Sequence, residues 1–274
     1  MNRKRILHLV HRTPYPPNRG HRIRSFHWLD FLSQHADVDL AFMADEPPGC
    51  EQRTELEARC GRVAWVRTSH AGQRFRGIFS LLLGRSATEA AFYSPRLSAT
   101  VRGWLAETHY DWVIAYCSSM GAYLKRLRIP PSRCIVDFVD VDSQKWLDYA
   151  NTASGPQAML YRLEGSRLRR FERELDGLSK FVVFVTEQES KIYRSFHATE
   201  KIRVVENGVD LKYFDPGAEI SPLPQPDTPL RLVFVGAMDY YPNVDGVTWF
   251  VQDVWPHIRD KCDVVFQIVG AGAG

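Results

Sequence analysis

The stretch RILHLVHRTPYPPNRGHRIRSFHWLDFLSQH, residues 5–35, decides the fold. Ile6, Leu7, Leu9 and Val10 form an apolar run without alternation, the pattern of a strand covered on both faces. Pro14, Pro16 and Pro17 then stiffen a basic loop. A helical pattern opens at Gly20 and runs over 20–35, with Ile23, Phe26 and the Leu29–Leu32 region on one face. Strand, rigid loop and helix make the first half of a β-α-β unit, and the rest of the chain repeats the theme. Apolar, β-branched runs recur at 38–44, 62–68, 111–117, 134–140, 181–187, 202–209, 230–237 and 263–270. Helical patterns separate many of them, as over 157–178, where Leu168, Phe171, Leu175 and Leu178 share a face. The alternation predicts a doubly wound α/β architecture around a parallel sheet.

Composition narrows the class. The chain has 274 residues, 45% of them apolar, enough for two domains with real cores. A net charge of +3, with no basic-aromatic array, excludes a nucleic-acid binder of the usual kind. Five widely spaced cysteines without a Cys-x-x-Cys pair argue against a disulfide framework and a zinc site. Cys117 and Cys134, in or beside apolar strands, read as buried thiols. The apolar stretch near the N-terminus is too short for a signal peptide, and no run reaches the roughly 18 residues of a membrane span. A cytoplasmic protein is expected.

The composition breaks once, at DPGAEISPLPQPDTP (215–229), which carries five prolines and reads as a linker. The expected organisation is an N-terminal domain over 1–205, a linker over 206–229 and a second domain beginning at 230–274. That last stretch holds one strand, one helix at 244–260 and one strand. A lone β-α-β unit buries too little surface to stand alone, so the second domain is expected to be incomplete.

Several stretches could carry chemistry. The loop after the first strand lies where open α/β sheets bind ligands. Gly20 permits close backbone approach, the following helix offers N–H groups and a positive dipole end, and Arg19, Arg22 and Arg24 add charge suited to phosphate. A rigid, solvated basic loop fits the same residues. Of the scattered histidines, only His11 stands at a strand end facing that edge. VDFVDVDSQKW (136–146) closes a strand with Asp137, Asp140 and Asp142. Asp140 and Asp142 match the Asp-x-Asp that holds a metal and a nucleotide-sugar diphosphate in some transferases; a helix N-cap by Asp142 or Ser143 is the structural alternative. FRGIFSLLLGR (75–85), apolar between arginines, reads as a core helix, or as an interfacial patch for a lipid-linked substrate. On 157–178, Arg162, Arg167, Arg169, Arg170 and Arg173 read as a solvated face with an Arg170–Glu174 pair. The closing IVGAGAG (268–274) has the glycine spacing of a dinucleotide fingerprint but not the helix and acid that complete one.

Three stretches in order, HRTPYPPNRGHRIRSFHWL (11–29), VVENGVDLKYFDP (204–216) and LVFVGAMDYYPNVDGVTWFVQDVWPHIR (232–259), resemble bacterial glycosyltransferases of family 4. The subgroup associated with exosortase-type surface polysaccharide systems is the most similar, and VDSQKW and the helix leading to FVVFVTEQE fit it too. The resemblance implies a GT-B fold, two Rossmann-like domains of which the second is incomplete here. It implies retaining transfer from a nucleotide-sugar donor to a glycan or lipid-linked acceptor, with no cofactor or obligatory metal. Partners would be the donor, the acceptor and, peripherally, the inner membrane, with no nucleic acid. Gly20 takes the position whose amide meets the donor diphosphate, and Asp140 and Asp142 the positions beside the acceptor. Where many members carry an Arg and a Lys after the first strand of the second domain, this chain has Ala237 and Asn243, so Asn243 or backbone amides would serve. The family's Glu-x7-Glu motif falls beyond Gly274, which points to a C-terminally truncated copy. The alternative is a catalytically silent fragment that binds acceptor or partner.

Overall fold

The computed structural model describes residues 3–211, 214–215, 217, 229–238 and 240–270. The chain divides into two compact units, Met1–Gly208 and Val209–Gly274. Most of the proline-rich linker, 218–228, and the last four glycine-alternating positions, 271–274, lie outside the described residues.

The first unit runs β1 (Lys4–Val10), α1 (Gly20–His35), β2 (Ala36–Ala44), α2 (Cys50–Glu57), β3 (Arg62–Arg67) and α3 (His70–Leu82). It continues through α4 (Ala87–Ala91), α5 (Pro95–Glu107), β4 (Trp112–Tyr116), a 3-10 turn Ser118–Met120, α6 (Gly121–Leu127) and β5 (Cys134–Val139). α7 (Asp142–Thr152), α8 (Gly155–Gly177), β6 (Phe181–Phe184), α9 (Glu187–Arg194) and β7 (Ile202–Val204) complete it. The seven strands are all parallel, in the order β3-β2-β1-β4-β5-β6-β7. The chain therefore leaves β1 to one side and returns to the other at β4, which puts the topological switch point between these two strands.

Both faces of the sheet are covered, which is why its strands do not alternate. Leu7, Leu9, Ala115, Val136, Phe138 and Phe184 face α5, α6 and α8 through Leu97, Tyr123, Leu168, Phe171 and Leu175. Ile6, Val10, Leu40, Phe42 and Ile114 face α1 and α2 through Leu29, Leu32 and Leu56. α1 has the expected bounds, and Phe26, Leu29 and Leu32 are buried, but Ile23 is 41% exposed. His8 shares the α1-facing side of β1 and is fully buried, with neither ring nitrogen hydrogen-bonded. Burial alone pulls its pKa down to about 4, so it packs as a neutral ring.

The second unit pairs β8 (Leu230–Val235) with β9 (Val264–Val269) in parallel. Between them run α10 (Tyr241–Trp249), a π-helical turn Phe250–Val254 and α11 (Trp255–Arg259). Phe250 packs on Phe266 at 4.6 Å and Trp255 on Phe266 at 5.9 Å. A side chain at Gly270 would collide with the Gly236 carbonyl, so this first glycine of the GAGAG run serves the close approach of the two strand ends.

Candidate functional site

At the switch point, His11 stacks on Tyr116 of β4 at 5.7 Å and meets Phe92 edge-on at 5.6 Å. Arg12 pairs with Asp45 at the end of β2, at 3.3 Å. Arg19 occupies the N-cap of α1 in extended conformation and supplies no side-chain cap, so the helix begins with unoccupied donors. Arg22 follows in the first turn, its Nε buried without a partner. Burial first, and then the neighbouring Arg19, lower its pKa; Asp45 opposes them and Arg12 adds to the fall. Arg12, Arg19 and Arg22 thus act on one another as neighbouring cations, with Asp45 paired to Arg12. A Cβ at Gly20 would meet nothing within 4 Å, so no packing in this protein requires glycine there.

The ends of β4 and β5 carry the strain. Cys117 has φ 70° and ψ 151°, a region almost confined to glycine, and the β-branched Val139 has φ 67°. Such conformations cost about 1–3 kcal/mol each and persist only where neighbours impose them. The neighbour here is Asp137. Its carbonyl accepts from Cys117 N at 2.8 Å, and its Oδ1 accepts from Val139 N at 3.1 Å. The β5–β6 register breaks between Asp137 and Val139, a bulge that re-aims the chain toward α7. Two carboxylates lie just past the bulge. Lys145 Nζ holds Asp140 at 2.8 Å; Asp142 Oδ2 accepts from Ser118 Oγ at 2.7 Å, and its Oδ1 lies 3.5 Å from the same lysine. Burial pushes the Asp142 carboxyl above its ordinary range, against the pull of Lys145. Burial likewise drives the Cys117 thiol up, which makes it an inert sulfhydryl at neutral pH.

Neither Asp142 nor Ser143 caps α7. Val141 occupies the N-cap and makes no side-chain bond. The orphan N–H groups are met from other helices: Glu189 Oε2 accepts from Val141 N at 2.6 Å, and Glu172 Oε1 from Ser143 N at 2.9 Å. Glu172 is fully buried and its other oxygen bonds Ser143 Oγ at 2.5 Å. Burial pushes its pKa up to about 8.

Arg24 is drawn into the same framework. It is 7% exposed; its Nε and Nη2 donate to Asp137 at 2.9 and 3.2 Å, and Nη1 donates to Val205 O at 2.8 Å and Asn207 Oδ1 at 3.0 Å. Trp28 Nε1 adds a fourth bond to Asp137, at 2.8 Å. Every Arg24 nitrogen is engaged by the protein itself.

Of the residues expected from sequence, the first unit gathers His11, Arg19, Gly20 and Arg22 beside β1 and Asp140 and Asp142 beside β5, all at the C-terminal edge of the sheet. Asn243 belongs to the second unit, where its Nδ2 donates to Ala237 O at 2.9 Å and closes the turn after β8. Arg12, Asp45, Ser118, Lys145 and Glu172 were not foreseen. Arg12 carried a signal, since it shares the basic loop, and so did Lys145, which lies three residues after Asp142, at helical spacing. Among the described residues no group of three or more His, Cys, Asp or Glu could hold a metal. Two other expectations need correction. The 75–85 stretch is no core helix, because Phe75 and Leu82 on α3 are 74% and 80% exposed. Glu174 pairs with Lys125 at 2.7 Å rather than with Arg170, because α6 lies within reach.

Neither a family model nor a curated protein matches this sequence. Solved structures do. A putative UDP-N-acetylglucosamine 2-epimerase from Listeria monocytogenes aligns over 100% of this chain and 64% of its own, with TM-score 0.50 and 11% identity. The α,α-trehalose 6-phosphate synthase from Burkholderia multivorans aligns over 98% and 65%, with TM-score 0.50 and 12% identity. Phytolacca americana UGT2, complexed with UDP-2fluoro-glucose and pterostilbene, aligns over 87% and 61%, at TM-score 0.49 and 14% identity. The chain thus spans less than two thirds of the length of each. The strand order and the two likenesses at TM-score 0.50 together define the class: an α/β protein of the GT-B type, built on Rossmann-like parallel sheets.

Proposed function

We propose that this chain is a glycosyltransferase of the family 4 kind, working at the cytoplasmic side on a nucleotide-sugar donor and a glycan or lipid-linked acceptor of surface polysaccharide synthesis. The observation that carries the reading is the division of one sheet edge into a cationic half, Arg12, Arg19 and Arg22 with the open α1 N-terminus, and a carboxylate half, Asp140 and Asp142. A leaving diphosphate gains negative charge in the transition state, and preoriented N–H groups and arginines stabilise that charge. Gly20 lets the phosphate reach the helix amides. A carboxyl pushed up by burial, as in Asp142, suits a group that accepts a proton from the acceptor hydroxyl. Lys145 already supplies the cation between Asp140 and Asp142, which fits a site that needs no divalent metal. Retention of configuration is part of the proposal and rests on the family resemblance.

Isothermal titration of the purified chain with UDP-, GDP-, ADP- and dTDP-sugars tests it. One donor should bind in about the micromolar range. Gly20→Ala should abolish that binding while leaving thermal unfolding unchanged, since its methyl enters open space. Binding and turnover should survive chelator; loss in chelator with rescue by manganese would instead make Asp140 and Asp142 a metal pair. If no donor binds, the chain is the silent, acceptor- or partner-binding unit. The likeness to a putative 2-epimerase favours a second reading, sugar-nucleotide epimerisation. An epimeric nucleotide sugar formed without acceptor would establish it.

A further inference from the structure

α3 is built inside out. Arg76, Gly77 and Ser80 face the protein: Arg76 Nη2 donates to Ala91 O at 3.0 Å, a Cβ on Gly77 would press on Ala87, and Ser80 Oγ donates to Ser86 O at 2.8 Å. The opposite side carries Phe75, Ile78, Phe79, Leu82 and Leu83, which are 74, 62, 56, 80 and 62% exposed. At 100° per residue these five span an arc of roughly 140°, a full amphipathic face turned to solvent. α8 extends it. Arg167 Nη1 donates to Leu81 O at 2.5 Å, and Leu163 and Leu160, one and two turns earlier on the same side of α8, are 38% and 47% exposed. Isolated exposed leucines are ordinary, but a continuous apolar face on two neighbouring helices marks an interaction surface.

The charge around the face identifies the occupant. From residue 58 to residue 88 the chain holds no Asp or Glu, while Arg67, Arg74 and Arg85 stand exposed at the ends and flank of α3. Arg162 is exposed beside Leu163 on α8. In a two-fold contact with a second copy, the same patch would meet itself and set these arginines against one another, with only the buried Glu89, 3.9 Å from Arg85, as an acid beside them. An apolar stripe rimmed by arginines suits an anionic bilayer, where the stripe enters the acyl boundary and the guanidinium groups meet lipid phosphates. We propose that the α3–α8 face docks this protein on an anionic membrane surface. α3 starts at the C-terminal edge of the sheet, and α4, on which it packs, meets the turn Ser118–Met120. The proposal stands on the surface alone and does not depend on the glycosyltransferase reading.

Co-sedimentation of the 274-residue chain with extruded vesicles tests it. Vesicles rich in phosphatidylglycerol should bind the chain, and pure phosphatidylcholine vesicles, or about 0.5 M NaCl, should weaken binding by about tenfold or more. Leu82→Asp and Phe75→Ser should weaken it by about tenfold with unchanged thermal unfolding, because both side chains already face water. Absence of binding to anionic vesicles overturns the proposal, as does equal binding to both lipids. If light scattering shows a dimer that Leu82→Asp dissociates while vesicles capture nothing, the occupant is a second copy and the membrane proposal falls.

Discussion

Removing the Arg24 guanidinium gives the sharpest test of how the site is held. Arg24 and Asp137 form an ion pair whose side chains are 6% and 1% exposed. In Arg24→Met the stem is roughly replaced, but Asp137 keeps only Trp28 Nε1 and Val139 N as donors and loses its countercharge. Breaking a buried pair from one side costs about 3–5 kcal/mol. The two remaining hydrogen bonds put the expected loss near the lower end, about 3 kcal/mol, a large share of the stability of an ordinary domain. Asp137 is already pushed up by burial despite Arg24. Without the arginine its folded pKa rises further above the unfolded value, so the folded state prefers the protonated acid. The deficit should therefore be largest at neutral pH and shrink as pH falls toward about 4–5. Urea unfolding followed by tryptophan fluorescence, at about pH 7 and about pH 5, measures both. The double variant Arg24→Met/Asp137→Asn should recover part of the loss, since a neutral amide removes the uncompensated charge while its oxygen can still accept from Val139 N or Trp28 Nε1. A deficit below about 1 kcal/mol, a deficit independent of pH, or additive single variants would refute the reasoning.

Other expectations rest on single positions. The His8 pKa of about 4 lies below the unfolded 6.5, so unfolding takes up a proton in between; stability should fall by about 3 kcal/mol as pH drops from 6.5 to 4. His8→Leu should flatten that slope in thermal unfolding, and parallel slopes would contradict it. Glu172, at about 8, is the opposite case: its raised pKa costs stability as pH climbs from the unfolded value near 4.5 toward 8. Glu172→Gln can keep both bonds to Ser143, and should gain on the natural protein in melting temperature at about pH 9 relative to about pH 5; a loss at the higher pH would sink this account. A methyl on Gly121 would overlap the methyls of the fully buried Leu175, so Gly121→Ala should cost about 1–3 kcal/mol in denaturant unfolding, partly restored by adding Leu175→Val.

What the sequence made legible was local. Apolar runs without alternation mark strands buried on both faces, and β1, β2, β4 and β5 stand largely buried where such runs were expected, whereas β8 and β9, read from the same pattern, form but stay mostly exposed. The start of α1 at Gly20 was legible because prolines end the loop before it. Periodicity, however, has no sense of inside and outside. The stripe Phe75–Ile78–Phe79–Leu82 predicts a helix equally well with that stripe buried or exposed, and only the small residues Gly77 and Ser80 hint that the other side packs. Partners far apart in sequence were hidden altogether. Arg24 had the spacing of a phosphate ligand, and its actual acceptor lies 113 residues away. α7 showed two plausible capping residues, yet Glu172 and Glu189, 29 and 48 residues downstream, meet its first amides. Capping patterns assume the cap is local, and tertiary packing overrode that assumption.

The Arg24 network also explains why the strain sits where it does. Two adjacent strand ends hold Cys117 and Val139 in costly conformations, and one buried aspartate holds both backbones through Cys117 N and Val139 N. Its carboxylate is fixed in turn by an arginine on the helix that succeeds the basic loop. α1 and the acidic strand end are therefore tied together by a buried ion pair across 113 residues of sequence. Relaxing Val139 to a negative φ would redirect the chain as it enters Asp140, and so move Asp140, Asp142 and Lys145 away from Ser118. A β5 that simply ended in a turn would have no need of the bulge, the buried charge pair or the Gly-like Cys117. Under the proposed function, their joint presence serves to keep the spacing between the cationic and acidic halves of the edge. A group transfer between a diphosphate bound by one half and a hydroxyl activated by the other demands such a fixed spacing, since small misplacements of reacting groups cost large factors in rate.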